Sequence, residues 1–448
     1  MNQRMLRYRN ALRYLLCLGI LAIPLYSYYD IYTRVPEVIR LRAGQEESLD
    51  FQVPVSGEVY RKSAGNGINL STERTGERSA ETSVNTSPGT SIDMSAVPVT
   101  SVHIQLDKPV RIKPVEADTY EMNLRILGVI PLKNVNLEVV RDQKVIPAGI
   151  PIGIYVKTEG VLVIDTGKFK DDKGDWQEPS QYVLNSGDYI ERVNQMAVTN
   201  KKEFVSQIAE CEGEELVLDV LRQNEKIQVK LKPEKNENGE YKAGIWVRDS
   251  AQGIGTLTYL SEENEFGALG HGITDIDTSE LMEVEGGTLY TTQIMDVLPG
   301  KSGTPGELTG MIQYQDDNIL GEIQRNTAKG IFGKGTDNLT EYIHHTPVPV
   351  GLKQDIELGP AQIICTLDHD TKIYDVEIKK LDYAREDTNR GIILQVTDEE
   401  LLSRTGGIIQ GMSGAPILQN GKLIGAVTHV LVQDPTMGYG IFIETMME

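Results

Sequence analysis

Basic charge is in short supply. Lys and Arg number 44 against 65 Asp and Glu, a formal charge of −21. A phosphate polymer would be repelled along most of such a surface, which excludes nucleic acid as a partner and broad adhesion to anionic lipid with it. Cysteine is scarcer still. Of Cys17, Cys211 and Cys365, the first falls in an apolar N-terminal segment, so at most one intrachain pair remains. No spacing forms a metal knuckle or a redox pair, and isolated buried thiols are the plainer reading. Aromatics make up 6% of the chain while glycines number 43, which favours turn-rich β architecture over helical bundles. Nothing points to a cofactor.

What is present is globular: 40% hydrophobic and 24% charged residues over 448 positions, enough for roughly two to four domains. At the N-terminus Arg4, Arg7, Arg9 and Arg13 form a basic segment, 1–13, ahead of an apolar run at 14–29. Basic residues before an apolar stretch keep the N-terminus inside, so the expectation is a single-pass membrane anchor with everything downstream exported. Pro24 falls in its second half, and the bulky flank Leu25-Tyr26-Ser27-Tyr28-Tyr29 favours an uncleaved anchor over a removed signal.

Short alternating stretches then fill 36–144, such as Val38-Ile39-Arg40-Leu41 and Tyr120-Glu121-Met122-Asn123-Leu124, predicting a small β domain. It is interrupted at 61–100 by a Ser/Thr/Gly/Asn-rich stretch with too little apolar surface to offset its ordering entropy, predicted to be a flexible linker. Residues 145–235 hold a Ser186-Gly187-Asp188 turn before Ile190, a helix from about Asn200 and two further strands. That order resembles a PDZ domain. The resemblance implies a peptide-binding loop at Ile152-Gly153-Ile154, with a bound chain end adding a strand beside it. From 245 to 448 short apolar runs separated by Gly, Asp, Asn and Pro predict a β-barrel or a pair of barrels. The fold expected is mainly β.

The chemistry concentrates in that last region. Gly411-Met412-Ser413-Gly414-Ala415-Pro416 precedes a strand pair. A nucleophilic serine needs a tight turn that exposes its Oγ and backbone N–H groups aimed at the carbonyl under attack, here those of Gly411 and Ser413. It also needs a base. Among six histidines, His271 stands between Gly270 and Gly272 after an apolar strand and before Ser413, in the order of chymotrypsin-like peptidases; His429 is the runner-up. Metal-dependent hydrolysis through His271, Asp275 and Asp277 would lack a helical ligand pair. An inert signalling scaffold is the alternative outside the enzymes, and the presence of both Ser413 and His271 speaks against it.

The runs Leu269-Gly270-His271-Gly272-Ile273, Thr405-Gly406-Gly407 through Pro416, Ile424 through Val430 and Asp434-Pro435-Thr436 through Ile441 resemble the stage IV sporulation protein B family of serine peptidases. The resemblance implies a peptidase acting between the two membranes of the forespore. Such a peptidase cleaves itself and cuts a membrane-bound regulator of an intramembrane metalloprotease, and the family's aspartate maps onto Asp398. The residues leave that assignment open. Thr397 and Glu400 form a capping box, which would put Asp398 in a first helical turn, and Asp275, Asp277 and Asp296 are alternatives.

Overall fold

The computed structural model describes residues 3–49, 53–61, 91–93, 102–106, 110–114, 119–368, 370–383 and 389–448. Two compact units emerge: 1–143 with 349–359 and 378–392, and 144–348 with 360–377 and 393–448.

The first unit opens with helix α1 (Gln3–Arg34), which contains Pro24. Among the described residues no helix is long and apolar enough to cross a membrane. A five-stranded sheet follows, built from β1 (Val38–Arg42), β2 (Val55–Arg61), β3 (Val102–Gln105), β4 (Thr119–Ile126) and β5 (Ile130–Val140) in the order β1-β5-β4-β2-β3. Period-two alternation drives it: Ile39 and Leu41, Met122 and Leu124, Val135 and Leu137 all point into one core. Most of the expected linker, 62–90 and 94–100, lies outside the described residues.

The second unit carries one closed barrel, most of the residues of a second and an insertion. Its strands longer than two residues, up to Gly335, are β6 (Lys144–Pro147), β7 (Pro151–Thr166), β8 (Tyr189–Val193), β9 (Leu216–Arg222), β10 (Glu225–Leu231), β11 (Ile245–Ser261), β12 (Glu265–Ala268), β13 (Val284–Leu298), β14 (Glu307–Ile312), β15 (Ile319–Thr327) and β16 (Gly330–Gly335). Six of these form a ring, β7-β13-β15-β16-β12-β11, which closes because β11 also pairs with β7. Ile152, Ile154, Val156, Leu257, Phe266, Leu289 and Ile331 fill this first barrel. A second barrel closes over β17 (Gly359–Thr366), β18 (Thr371–Leu381), β19 (Ile392–Val396), β20 (Pro416–Gln419), β21 (Lys422–Val430) and β22 (Met437–Phe442).

Between the first-barrel halves of β7 and β11 sits the insertion. Its sheet runs β10-β9-β8-β7-β11, with helix α2 (Lys201–Glu210) packed through Phe204 and Ile208 onto a core of its own. Asn200 caps α2 by accepting the Glu203 N–H at 2.9 Å, the bond an N-cap asparagine is suited to make. Both long strands serve two cores. Ile152 to Val156 of β7 belong to the barrel and Val161 to Val163 to the insertion.

Two expectations fail here for that reason. The boundary at 145–235 does not hold, since β6 pairs with the barrel strand β11 and the first half of β7 is itself a barrel strand, so the barrel begins near Pro151. Nor do Ile152, Gly153 and Ile154 form a peptide-binding loop. They lie within β7, near its start, paired on one side with Gly255, Ile254 and Gly253 and on the other with Thr291, Tyr290 and Leu289. With both edges paired, no backbone group is left for an added strand.

A Cβ at Gly153 would lie 2.5 Å from Ile312 Cγ2 and 2.6 Å from Thr292 Oγ1. Gly153→Ala should therefore overpack the barrel and cost about 1–3 kcal/mol, read as a lowered thermal unfolding midpoint. An unchanged midpoint would return Gly153 to a loop role.

Candidate active site

The serine turn is fastened from both barrels. Within its own, the Gly414 N–H donates to Val427 O at 2.7 Å, Ala415 N–H to Met412 O at 2.9 Å and Val427 N–H to Ala415 O at 2.9 Å. From the other, Thr256 on β11 donates its N–H to Ser413 O at 2.9 Å and its Oγ1–H to Gly411 O at 2.7 Å, while Thr258 Oγ1–H reaches Gly414 O at 2.8 Å. Only a residue without Cβ fits at two of these positions. Gly411 has φ +96° and Gly414 φ +98°, and a Cβ on Gly414 would stand 2.0 Å from Thr256 O and 2.6 Å from Leu269 N.

Leu269 begins the histidine loop. Its N–H donates to Thr256 O at 3.2 Å, so one threonine holds both loops. Past the histidine, Asn326 on β15 accepts the Ile273 N–H at 2.8 Å and donates to the carbonyls of Ile273 and Met282, both at 2.9 Å. Ser413 and His271 consequently line one cleft of about 300 Å³ with Ile154, Gly253, Ile254, Ile273, Gln410 and Gly411. Among the described residues neither the Gly411 N–H nor the Ser413 N–H has an acceptor.

The imidazole is oriented by backbone. His271 Nδ1 lies 2.9 Å from Gly272 O. A carbonyl can only accept, so the proton sits on Nδ1 and Nε2 keeps a lone pair free for a proton. Burial lowers the His271 pKa below its ordinary value, opposed in part by that bond. The neutral, base-competent form is thereby favoured. The Ser413 hydroxyl donates to Thr428 O at 2.8 Å, so a bond from it to the imidazole would need a rotation about χ1. His429 stacks beside His271 with ring centroids 5.0 Å apart and planes tilted by 37°. His344 and His345 line a different cleft with Asp368 and Asp370.

Asp398 is not brought to His271. It caps helix α3 (Glu399–Thr405), with Oδ1 accepting the Leu401 N–H at 3.0 Å and Oδ2 the Asp375 N–H at 3.4 Å. The capping reading was therefore near the mark but one residue early, because Asp398 and not Thr397 is the cap. Asp275 and Asp277 both pair with Arg248, and Asp296 accepts the N–H of its neighbour Val297.

Residues 239–447 match the family described as SpoIVB peptidase S55. This region is a serine peptidase of that family. As a peptidase it takes a protein substrate. No curated protein matches the chain. Among solved structures, the PDZ domain of the SdrC-like protein from Listeria monocytogenes is 24% identical over 20% of this chain and 87% of its own length, with a TM-score of 0.17.

A second concavity belongs to the insertion. About 800 Å³ in volume, it lies between α2 and the first residues of β11, floored by Phe169, Phe204, Ile208, Ile245 and Val247 and bordered by Lys168, Lys201, Lys235 and Lys242. Among the described residues Ile245 to Arg248 are paired on one side only, and the N–H groups of Ala243 and Gly244 have no acceptor. The apolar-Gly-apolar triplet with free backbone donors is thus Ala243-Gly244-Ile245. It has the same residue pattern as Ile152-Gly153-Ile154, and only strand pairing tells the two apart.

Asp398→Ser keeps a capping oxygen and removes the carboxylate. It should leave peptide hydrolysis near wild type, whereas Asp398→Ala should cost about 1 kcal/mol of stability. Collapse of turnover in a stable Asp398→Ser chain would restore the aspartate to the chemistry. Thr256→Val, nearly isosteric, removes the hydroxyl that holds Gly411 O, and initial-rate measurement should show kcat down on the order of tenfold. Wild-type kcat would mean that the turn is rigid without it.

Proposed function

We propose that this serine peptidase is an endopeptidase in which Ser413 is the nucleophile and His271 the general base. The observation that carries the reading is the shared cleft. One hydroxyl, one imidazole with its Nε2 free, and two backbone N–H groups without acceptors border the same small volume. Ser413 Oγ would attack the scissile carbonyl as Nε2 takes its proton. The oxyanion would lie against the Gly411 and Ser413 amides, and the imidazolium would return the proton to the leaving amine as the C–N bond breaks. Water would then release the acyl group by the same steps.

The groove beside Ala243-Gly244-Ile245 supports capture of a chain end as an added strand, its carboxylate near the bordering lysines. In keeping with the sporulation family, we infer a chain held at the forespore membrane by its basic and apolar N-terminal segment, acting in the intermembrane space. Its targets would be itself and a membrane-bound regulator of an intramembrane metalloprotease. The four arginines ahead of the apolar run support the anchor, and the Ser/Thr-rich stretch 61–100 offers bonds for self-cleavage.

Fluorophosphonate labelling tests the chemistry. The wild-type chain should label, and Ser413→Ala should neither label nor trim itself. Because the base must be neutral and burial lowers its pKa, the labelling rate should rise with pH along a single limb centred below the ordinary 6.5 and level off above it. Labelling that persists in Ser413→Ala would remove Ser413 from the mechanism, and a limb centred above 6.5 would contradict His271 as its buried base.

A further inference from the structure

Beyond Ile273 the histidine loop leaves the barrel and docks on the insertion. Asp275, four residues after His271, is 2% exposed although it carries a charge. Its Oδ1 accepts the N–H groups of Asp277 and Thr278, each at 2.9 Å. Its Oδ2 takes the Arg248 guanidinium, whose second nitrogen reaches Asp277 Oδ2 at 2.7 Å. Burial alone would raise the Asp275 pKa, but those two N–H groups and Arg248 outweigh it and hold the carboxyl below its ordinary value. The far end of the loop is tied to the same unit. Glu283 donates its N–H to the Tyr189 hydroxyl at 3.0 Å and accepts from Glu159 N–H at 3.1 Å.

Arg248 itself stands on β11 opposite Leu162, within the part of that strand that belongs to the insertion. Its strand neighbours Ile245 to Val247 border the peptide-sized groove. Further along, Gly253 and Ile254 line the serine cleft, and Thr256 grips the serine turn. One strand thus passes from the groove through Arg248 to the nucleophile.

We propose that Arg248, acting through Asp275, is a positioning residue for His271, so that the insertion is part of the catalytic apparatus and not a detachable module. The proposal rests on the reading of His271 as the base. Without the guanidinium, Asp275 is a buried carboxylate with no cation, and a loop holding an uncompensated charge relaxes toward water. The imidazole four residues away moves with it, while the walls contributed by Ile154, Gly253 and Ile254 stay in the barrel strands. Turnover should suffer and substrate binding should not.

The test uses the full chain carrying Arg248→Met, Arg248→Lys, Asp275→Asn, Asp277→Asn or, separately, His271→Ala. Each is checked for fold by circular dichroism and compared for kcat, KM and the rate of Ser413 labelling. Arg248→Met and Asp275→Asn should each lower kcat and labelling on the order of tenfold to a hundredfold, with KM within about twofold. Arg248→Lys should recover most of the loss, and Asp277→Asn, whose carboxylate is partly exposed, should stay near wild type. Asp275→Asn keeps volume and one acceptor, so it carries the test should Arg248→Met fail to fold. Wild-type kcat in either folded variant, or a loss confined to KM, overturns the proposal. A His271→Ala chain that labels at the wild-type rate overturns the base assignment instead, whereas an inert one beside an unimpaired Asp275→Asn overturns the positioning role alone.

Discussion

Thr256 joins the serine and histidine loops to which the chemistry is assigned by our proposal. Its N–H and hydroxyl hold the carbonyls of Ser413 and Gly411, and its own carbonyl accepts from Leu269. Serine and histidine come from different barrels, so their separation would otherwise drift with every small shift between the two. A single strand residue bonded to both loops removes that freedom where displacements of an ångström matter. Gly414 is fixed by the same contact, because its Cα packs against Thr256 O and Leu269 N too closely for any side chain. The glycine in the Gly-x-Ser-Gly run therefore serves the meeting of two barrels as much as the bend of its own turn.

Continuity of β7 and β11 extends the constraint outward. Both strands leave the first barrel and become the paired edge of the inserted sheet, with a register irregularity between Lys157 and Leu162 where the two cores separate. A hydrogen-bonded two-strand ribbon transmits bending better than a loop hinge would. The insertion is thereby coupled to the serine cleft through backbone alone, and the Arg248–Asp275 pair adds a side-chain tie to the histidine loop.

Much of this was legible in the residues, and the misses share one cause. Alternation gave the strands of the first unit, the order of turn, helix and strands gave α2 from about Asn200, and glycine placement singled out Ser413 and His271. Pairing partners were not legible. Ile152-Gly153-Ile154 and Ala243-Gly244-Ile245 are equivalent as text, yet the first is paired on both sides and the second borders an open edge. Likewise Thr256, Asn326 and Arg248 act through bonds to residues 13 to 157 positions away, which no local pattern records. Thr256 and Thr258 at alternate positions of one strand was the one faint signal, since two hydroxyls facing a barrel core need acceptors.

What stands behind His271 bears on how such a site would work. Where the chymotrypsin class places a carboxylate, Nδ1 here meets the carbonyl of Gly272. Both acceptors fix the same tautomer, but a neutral dipole stabilises the imidazolium far less than a full negative charge does. The burden of the transition state then shifts to the oxyanion amides, and the proton stays on the imidazole less readily. A peptidase so built would be slow, with its rate set by how firmly the loops around Thr256 and Asp275 hold their geometry. Those are the contacts that the insertion can reach, which makes slow chemistry and control by a neighbouring unit two consequences of one arrangement.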